Sequence, residues 1–110
     1  MKKTNDMERI LCAAIWYKDL PLLKPEVLEP RGFGPNNVDR GIVFCGYRHP
    51  NCIYQKVAVT GLRDAESGEY VQGFLTNHNR FVDREIGAII AYDAGQIEQQ
   101  KKTLYSEDLY

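Results

Sequence analysis

The chain has 110 residues, 44% of them hydrophobic, and a formal net charge of −1. These values indicate one globular domain, residues 1–110, with room for a real core. The net charge argues against a surface for DNA or RNA polymers, since phosphate binding normally needs an excess of Lys and Arg. The sequence has no apolar run of about 18 or more residues, so it predicts no membrane-spanning segment.

The first half of the chain predicts two strands separated by a long loop. Residues 9–17, RILCAAIWY, and residues 41–47, GIVFCGY, are apolar at both alternating sets of positions. Such strands are central in a sheet or lie at a subunit interface. Residues 18–40 contain four of the five prolines and the run RGFGPNNVDRG, so they predict a loop.

The second half predicts a helix, two strands and a second helix. Pro50 suits the first turn of a helix over 50–60, and Gly61 suits its end. Residues 70–76 and 80–82 predict strands joined by the turn NHN. Asp83 is a good N-cap for a helix that runs to about residue 94 and ends at Gly95. Gly87 inside that helix either permits the close approach of another backbone or is incidental.

This order of elements predicts an α+β fold in which a small antiparallel sheet packs with two α-helices on one face. The first ten residues, MKKTNDMERI, begin basic but have no apolar segment behind them. We therefore expect no signal peptide, and a location in the cytoplasm in which the protein is made.

Three cysteines lie in apolar surroundings without a CxxC pair, namely Cys12, Cys45 and Cys52. The odd number disfavours both a disulfide framework and a structural zinc site, and we expect buried, reduced thiols. His49 and Cys52 could meet on the first turn of a helix. A metal or Cys–His catalytic role there lacks a second ligand pair with suitable spacing.

Phe74 stands between Gln72 and Thr76 on one face of its predicted strand. If that face were buried, both polar side chains would need partners. We therefore favour an exposed Phe74 that offers a stacking surface to a purine, over the alternative of core packing. Phe81 could act in the same way or could pack against the start of the next helix.

The start of the second helix is a candidate for anion binding, because free N–H groups and the helix dipole attract negative charge. Asp83 competes for that place as the cap. Arg80 and Arg84 flank it and could hold a phosphate, while Arg48 and His49 end a strand at what could be the same rim. For each arginine alone, a solvated surface charge is the usual alternative.

The sequence contains no P-loop, GxSxG elbow, HExxH motif or dinucleotide fingerprint, so no catalytic residues are assigned. Asp83 and Glu85 diverge on a helix and make a poor acid–base pair.

Five segments, in their order along the chain, resemble the first type of Thoeris anti-defence (Tad) proteins encoded by bacteriophages: LCAAIWYKD, GIVFCGYRHPNC, QGFLTNHNRFVDRE, AGQI and LYSEDLY. They cover most of the chain outside residues 18–40, and nothing is carried over to that loop. The resemblance implies a sponge that binds cyclic ADP-ribose isomers from TIR-domain proteins, the glycocyclic forms in particular, without degrading them.

The resemblance also implies a small sheet with helices, dimers that can associate into hexamers, and ligand pockets at the dimer interface. Some members also bind cyclic trinucleotides at separate sites. The aromatic residue that contacts adenine in the family matches Phe74, and the polar contacts match Asp83 and Arg84. No catalytic residue, metal or other cofactor is implied.

Two other classes remain open. An enzyme that processes ADP-ribose could use His49, Asp83 or Glu85, and a small protein-interaction module could use Phe74 and the aromatic C-terminal segment as anchors. Whichever class holds, the doubly apolar strands predict self-association. The apolar residues of the last segment, Leu104, Tyr105, Leu109 and Tyr110, are expected to dock on the body of the protein or on a partner subunit.

Overall fold

The structure is a computed structural model that describes residues 7–23 and 32–110. Those residues form four strands and two α-helices, in the order β1 (Ile10–Tyr17), β2 (Ile42–Gly46), α1 (His49–Thr60), β3 (Tyr70–Thr76), β4 (Phe81–Asp83) and α2 (Arg84–Asp93). All strand pairs are antiparallel and the sheet order is β2-β1-β3-β4. The predicted α+β class is confirmed.

Residues 24–31 of the predicted loop and residues 1–6 lie outside the described part of the chain. The described loop residues, 18–23 and 32–41, form turns and bends rather than a helix or strand. β1 is central, as its apolar pattern predicts, whereas β2 has a similar pattern but lies at an edge.

Both helices pack on the same face of the sheet, which we call the helix face. Ala13 of β1 pairs with Phe74 of β3, and paired side chains point to the same side. One buried cluster on this face lies under α1 and contains Ala13, Ile15, Tyr17, Leu20 and Cys52. A second lies under α2 and contains Ile10, Phe74, Val82, Ala88, Ala91, Ile97 and Leu104.

The other face carries no helix among the described residues, and we call it the open face. Its buried centre is Ala14, Val38 and Phe81, surrounded by half-buried side chains: Trp16, Val43, Cys45, Val71 and Leu75. The loop is tied across this face by Asn37, whose side-chain amide donates to the Phe81 carbonyl and accepts from the Phe81 N–H, both at 2.8 Å.

The ends of the helices follow the sequence signals. Asp83 caps α2 by accepting from the backbone N–H of Ile86 at 2.8 Å, and Gly61 and Gly95 take positive φ angles of 75° and 76° after the two helices. Gly87 does make room for a close neighbour, but the neighbour is a side chain. A Cβ at Gly87 would lie 3.0 Å from the ring of Phe74.

The C-terminal segment docks on the body, as predicted. Leu104 is fully buried in the cluster under α2, and Leu109 packs against that cluster. Leu104 donates its N–H to the Arg84 carbonyl at 3.0 Å, and the Tyr110 hydroxyl donates to the Tyr47 carbonyl at 2.6 Å. The segment therefore completes the helix face.

Lys56 on α1 is a fully buried charge, with 0% of its surface exposed. Its ammonium group donates to the Leu62 carbonyl and the Ser67 hydroxyl, each at 2.8 Å, and lies 2.9 Å from the Asp64 carboxylate. It also lies 5.0 Å from the centre of the Tyr17 ring. One buried cation thus joins α1, the connection that follows it and the central strand.

Replacing Lys56 with Met should lower the free energy of unfolding by about 2–4 kcal/mol, because buried acceptors lose their donor while the volume is kept. Lys101 offers a matched control, since its ion pair with Asp108 lies at the surface. Lys101→Met should cost less than about 1 kcal/mol. Urea denaturation followed by circular dichroism measures both. Equal stability of the Lys56 variant and the parent protein would contradict the assigned role.

Candidate functional site

The predicted orientation of Phe74 is wrong. Its side chain is 0% exposed and packs between α1 and α2, with the His49 ring edge-on at a centroid distance of 5.2 Å. Gln72 and Thr76 do share its face, but they are not solvated there. Gln72 accepts from the Arg84 guanidinium, and the Thr76 hydroxyl donates to Glu8 at 2.7 Å. Partners distant in sequence therefore satisfy the polar groups and allow Phe74 to be buried.

His49 is buried on the helix face and does not lie at a rim. Its Nε2–H donates to the Gly73 carbonyl at 2.8 Å, and burial lowers the pKa of the ring below its ordinary value, which favours the neutral imidazole. The neighbouring Arg48 likewise does not line a rim with Arg80, because it contacts Tyr47 and the C-terminal Tyr110. Its guanidinium lies 4.9 Å and 5.2 Å from the rings of Tyr47 and Tyr110 and donates to the main-chain oxygen of Tyr110.

The arginines therefore do not form the single rim that the sequence predicted. Arg84 donates to the Leu104 carbonyl at 2.9 Å and stacks over the Tyr105 ring at 4.7 Å, so that it holds the C-terminal segment, as Arg48 does. Arg80 faces elsewhere and forms a two-pronged ion pair with Glu8, at 2.8 and 2.9 Å.

A groove of about 530 Å³ does lie beside the start of α2, on the open face. Its volume falls within the range of roughly 300–1,000 Å³ that is typical of small-molecule sites. Three of the predicted site residues line it, and two residues that the sequence reasoning did not name complete its chemistry. The lining residues are Trp16, Lys18, Val71, Arg80, Phe81, Val82, Asp83 and Ile86, of which Val82 points its side chain to the helix face.

The aromatic part of the groove consists of Trp16 and Phe81. Their rings meet edge-to-face with centroids 5.9 Å apart. Phe81 is only 6% exposed and forms part of the floor, whereas Trp16 is half-buried. The indole N–H of Trp16 donates to the Arg40 carbonyl at 2.8 Å, which fixes the orientation of the ring. Trp16, rather than Phe74 or Phe81, is the aromatic residue available to a ligand in this groove.

The polar part of the groove consists of Lys18, Asp83 and Arg80. The Lys18 ammonium lies 5.0 Å from the centre of the Trp16 ring and 3.9 Å from the carboxylate of Glu69. One oxygen of the exposed Asp83 carboxylate accepts from the Ile86 N–H, which leaves the other to face solvent. The groove thus combines a flat ring, a loosely paired cation and an anionic acceptor.

A sequence signal for Trp16 and Lys18 did exist. They lie two residues apart at the end of a strand, so both point to one face, and Trp16 is the only tryptophan in the chain. An aromatic residue and a cation on one face are typical of sites for flat, anionic ligands.

Two properties of the described residues bear on the chemistry. Within 7–23 and 32–110, no group of three or more His, Cys, Asp or Glu side chains is arranged to hold a metal ion. The same residues contain no helix of the length and apolar character that crossing a membrane requires.

The fold and the groove define a small α+β protein with a ligand-sized recess on its open face. The chain belongs to the phage T4 y16D protein family, whose profile matches residues 9–110. Comparison with curated proteins and with solved structures gives no match.

The ion pair of Glu8 and Arg80 borders the groove and ties the start of β1 to the β3–β4 turn. Hydrogen bonding to Arg80 is the largest cause that lowers the pKa of Glu8, from an ordinary value of 4.5 to about 2, and the Thr76 hydroxyl adds to it. A depressed carboxylate pKa stabilises the folded state above the unfolded pKa, and this contribution is lost as the pH falls through the folded pKa.

Glu8→Gln should therefore lower the free energy of unfolding by about 1–3 kcal/mol at pH 7, with solvent around Arg80 reducing the effect. The difference from the parent protein should narrow as the pH falls from about 5 towards 2. Urea titrations at several pH values measure it. Glu98→Gln, at an exposed carboxylate, is the control and should change stability by less than about 0.5 kcal/mol. A difference that stays constant with pH would contradict the ion-pair explanation.

Proposed function

We propose that the chain is a phage anti-defence protein that binds a cyclic ADP-ribose isomer, in particular a glycocyclic form, and sequesters it without chemical change. The observation that carries the proposal is the groove in which Trp16, Lys18 and Asp83 converge. Membership of a phage family and the resemblance of five segments to Tad proteins support it from a different direction.

The chemistry of the groove matches the parts of such a ligand. The adenine would stack on the indole of Trp16, and the ammonium of Lys18 would contact the pyrophosphate. The free oxygen of Asp83 would accept from a ribose hydroxyl. In this proposal Trp16 takes the stacking role that the sequence assigned to Phe74, and Asp83 keeps a polar role.

Two observations favour binding over the other classes. His49, a candidate base for an enzyme that processes ADP-ribose, points into the helix face and contacts a backbone carbonyl there. A protein-interaction module anchored by Phe74 would need that ring at the surface, but the ring is 0% exposed, and in the C-terminal segment Leu104 is buried within the same chain.

Calorimetry with TIR-derived glycocyclic ADP-ribose tests the proposal. Trp16→Leu should weaken binding by about ten- to a hundredfold, as expected when roughly 1–3 kcal/mol of stacking is lost, and Lys18→Met should also weaken it. Tyr54→Leu is the control for loss of an aromatic ring, since Tyr54 is exposed on α1 away from the groove. A cyclic trinucleotide titrated in the same way tests the second ligand class of the Tad family.

Three outcomes would contradict the proposal. The parent protein could fail to bind the ligand, or Trp16→Leu could bind normally at an unchanged melting temperature. The third outcome is a chemically altered ligand, which would indicate an enzyme instead of a sponge. Chromatography of the ligand after incubation and heat release detects such a change.

We also propose self-association, although the surface we expect to drive it differs from the predicted one. Loop residues 32–40 partly cover the open face, so the doubly apolar strands alone no longer require a partner. Three of the exposed apolar side chains, Ile86, Ile89 and Tyr92, lie on one side of α2 at a spacing of three residues, and we propose that they form the surface.

Replacing Ile89, the most exposed of these three, with Lys should shift an oligomer towards the 12.6 kDa monomer. Val59→Lys, at an exposed position on α1, is the matched control and should leave assembly unchanged. Sedimentation at micromolar concentration measures both. A parent protein that sediments as a single chain would contradict self-association, and an unchanged Ile89 variant would contradict this surface.

A further inference from the structure

Two of the three cysteines are neighbours on the open face. Cys45 of β2 pairs with Ala14 of β1, and Cys12 lies two residues before Ala14 on the same strand and the same face. The pair is therefore a diagonal one across adjacent antiparallel strands. The two thiols are close enough to shift each other's pKa in opposite directions. The expectation of three buried thiols holds for Cys52 alone, because Cys12 and Cys45 are only half-buried.

The surroundings shift the pKa values of the two thiols in opposite directions. The side chain of Cys45, together with the Gly46 backbone, lowers the pKa of the Cys12 thiol to about 7, whereas the pKa of Cys45 is raised. Of the two thiols, Cys12 is therefore the one that loses its proton more readily, and the thiolate is the reactive form of cysteine. Cys45 keeps its proton and lies diagonally across from Cys12, whose sulfur would react first.

Both thiols are only partly buried on the open face. Cys45 lines a recess of about 180 Å³ together with Phe33, Val43 and Leu75. Cys52 differs in each respect. It is fully buried, its Sγ lies 3.6 Å from the carbonyls of Ala13 and Arg48, and burial raises its pKa to about 12.

We propose that Cys12 and Cys45 form a dithiol site that reacts with low-molecular-weight disulfides. The Cys12 thiolate attacks one sulfur of the disulfide, forms a mixed disulfide and releases one thiolate, which takes up a proton. Cys45 then loses its proton to solvent and attacks the Cys12 sulfur, which releases the second thiol. In sum, two protein thiols and one small disulfide give one Cys12–Cys45 disulfide and two small thiols.

The site would link the central strand to the edge strand β2. This disulfide would join two strands that hydrogen bonds already hold in register. The groove around Trp16 lies on the same open face, but no residue of β2 lines it, so we expect the groove to keep its shape. The proposal is therefore independent of the proposed ligand, and its failure would leave that function untouched.

The test uses the full-length reduced protein and glutathione disulfide at neutral pH, with remaining thiols alkylated under denaturing conditions. Intact mass and peptide mapping should show a Cys12–Cys45 disulfide and a single alkylated cysteine, Cys52. Cys45→Ser should accumulate the mixed disulfide at Cys12, because the second step is lost. Cys12→Ser should react about tenfold more slowly or worse, and Cys52→Ser should behave like the parent.

Several results would overturn the proposal. They are a stable mixed disulfide in the parent protein, a disulfide that joins two chains, a disulfide that includes Cys52, and a Cys12→Ser variant that reacts at the parental rate. Circular dichroism of each serine variant confirms that it is folded, so that a slow reaction reports on the thiols and not on loss of structure.

Discussion

The register in which β1 pairs with β3 decides the role of each face of the sheet. It sets Ala13 opposite Phe74 and Trp16 opposite Val71, so that Phe74 points to the helices and Trp16 to the open face. A slip of one residue would exchange the two faces and leave Phe74 without its partners. The bulge between Ile10 and Cys12 belongs to the same arrangement. It allows Ile10 and Ala13, three residues apart, to face the same side.

On the helix face, arginine side chains stabilise the packing of the C-terminal segment. Arg84 and Arg48 hold the C-terminal segment over the cluster that contains Phe74, through main-chain oxygens and tyrosine rings. Arg80 is paired with Glu8. Three arginines that the sequence offered for anion binding are thus already engaged in the folded chain. Of the two groove-lining cations, Lys18 is the more weakly paired among the described residues, at 3.9 Å from Glu69, so the proposed function assigns the anion chiefly to Lys18.

The sequence predicts the elements well because their signals are local. Strand periods, the Asp83 cap and the glycines after both helices all act within a few residues, and the strands and helices lie within a few residues of their predicted places. The side of the sheet that meets solvent is not a local property. Gln72 and Thr76 pointed to an exposed face for Phe74, but their partners Arg84 and Glu8 lie 12 and 68 residues away in sequence. Only the tertiary fold brings those partners to them.

The distance in sequence between contacting residues also explains why only some of the groove-lining residues were named from the sequence. Arg80, Phe81 and Asp83 lie within four residues just before α2, and the sequence reasoning named all three as site candidates. Trp16 and Lys18 come from the end of β1, and the sheet order β1-β3-β4 brings them beside it. Their arrangement also suits one kind of ligand in the proposed function. Lys18 lies over the indole, so a flat ring must compete with this cation for the face of Trp16. An anion attached to that ring would draw the ammonium aside and free the face in the same event. A ligand that joins a flat ring to a phosphate group therefore fits this groove better than either part alone.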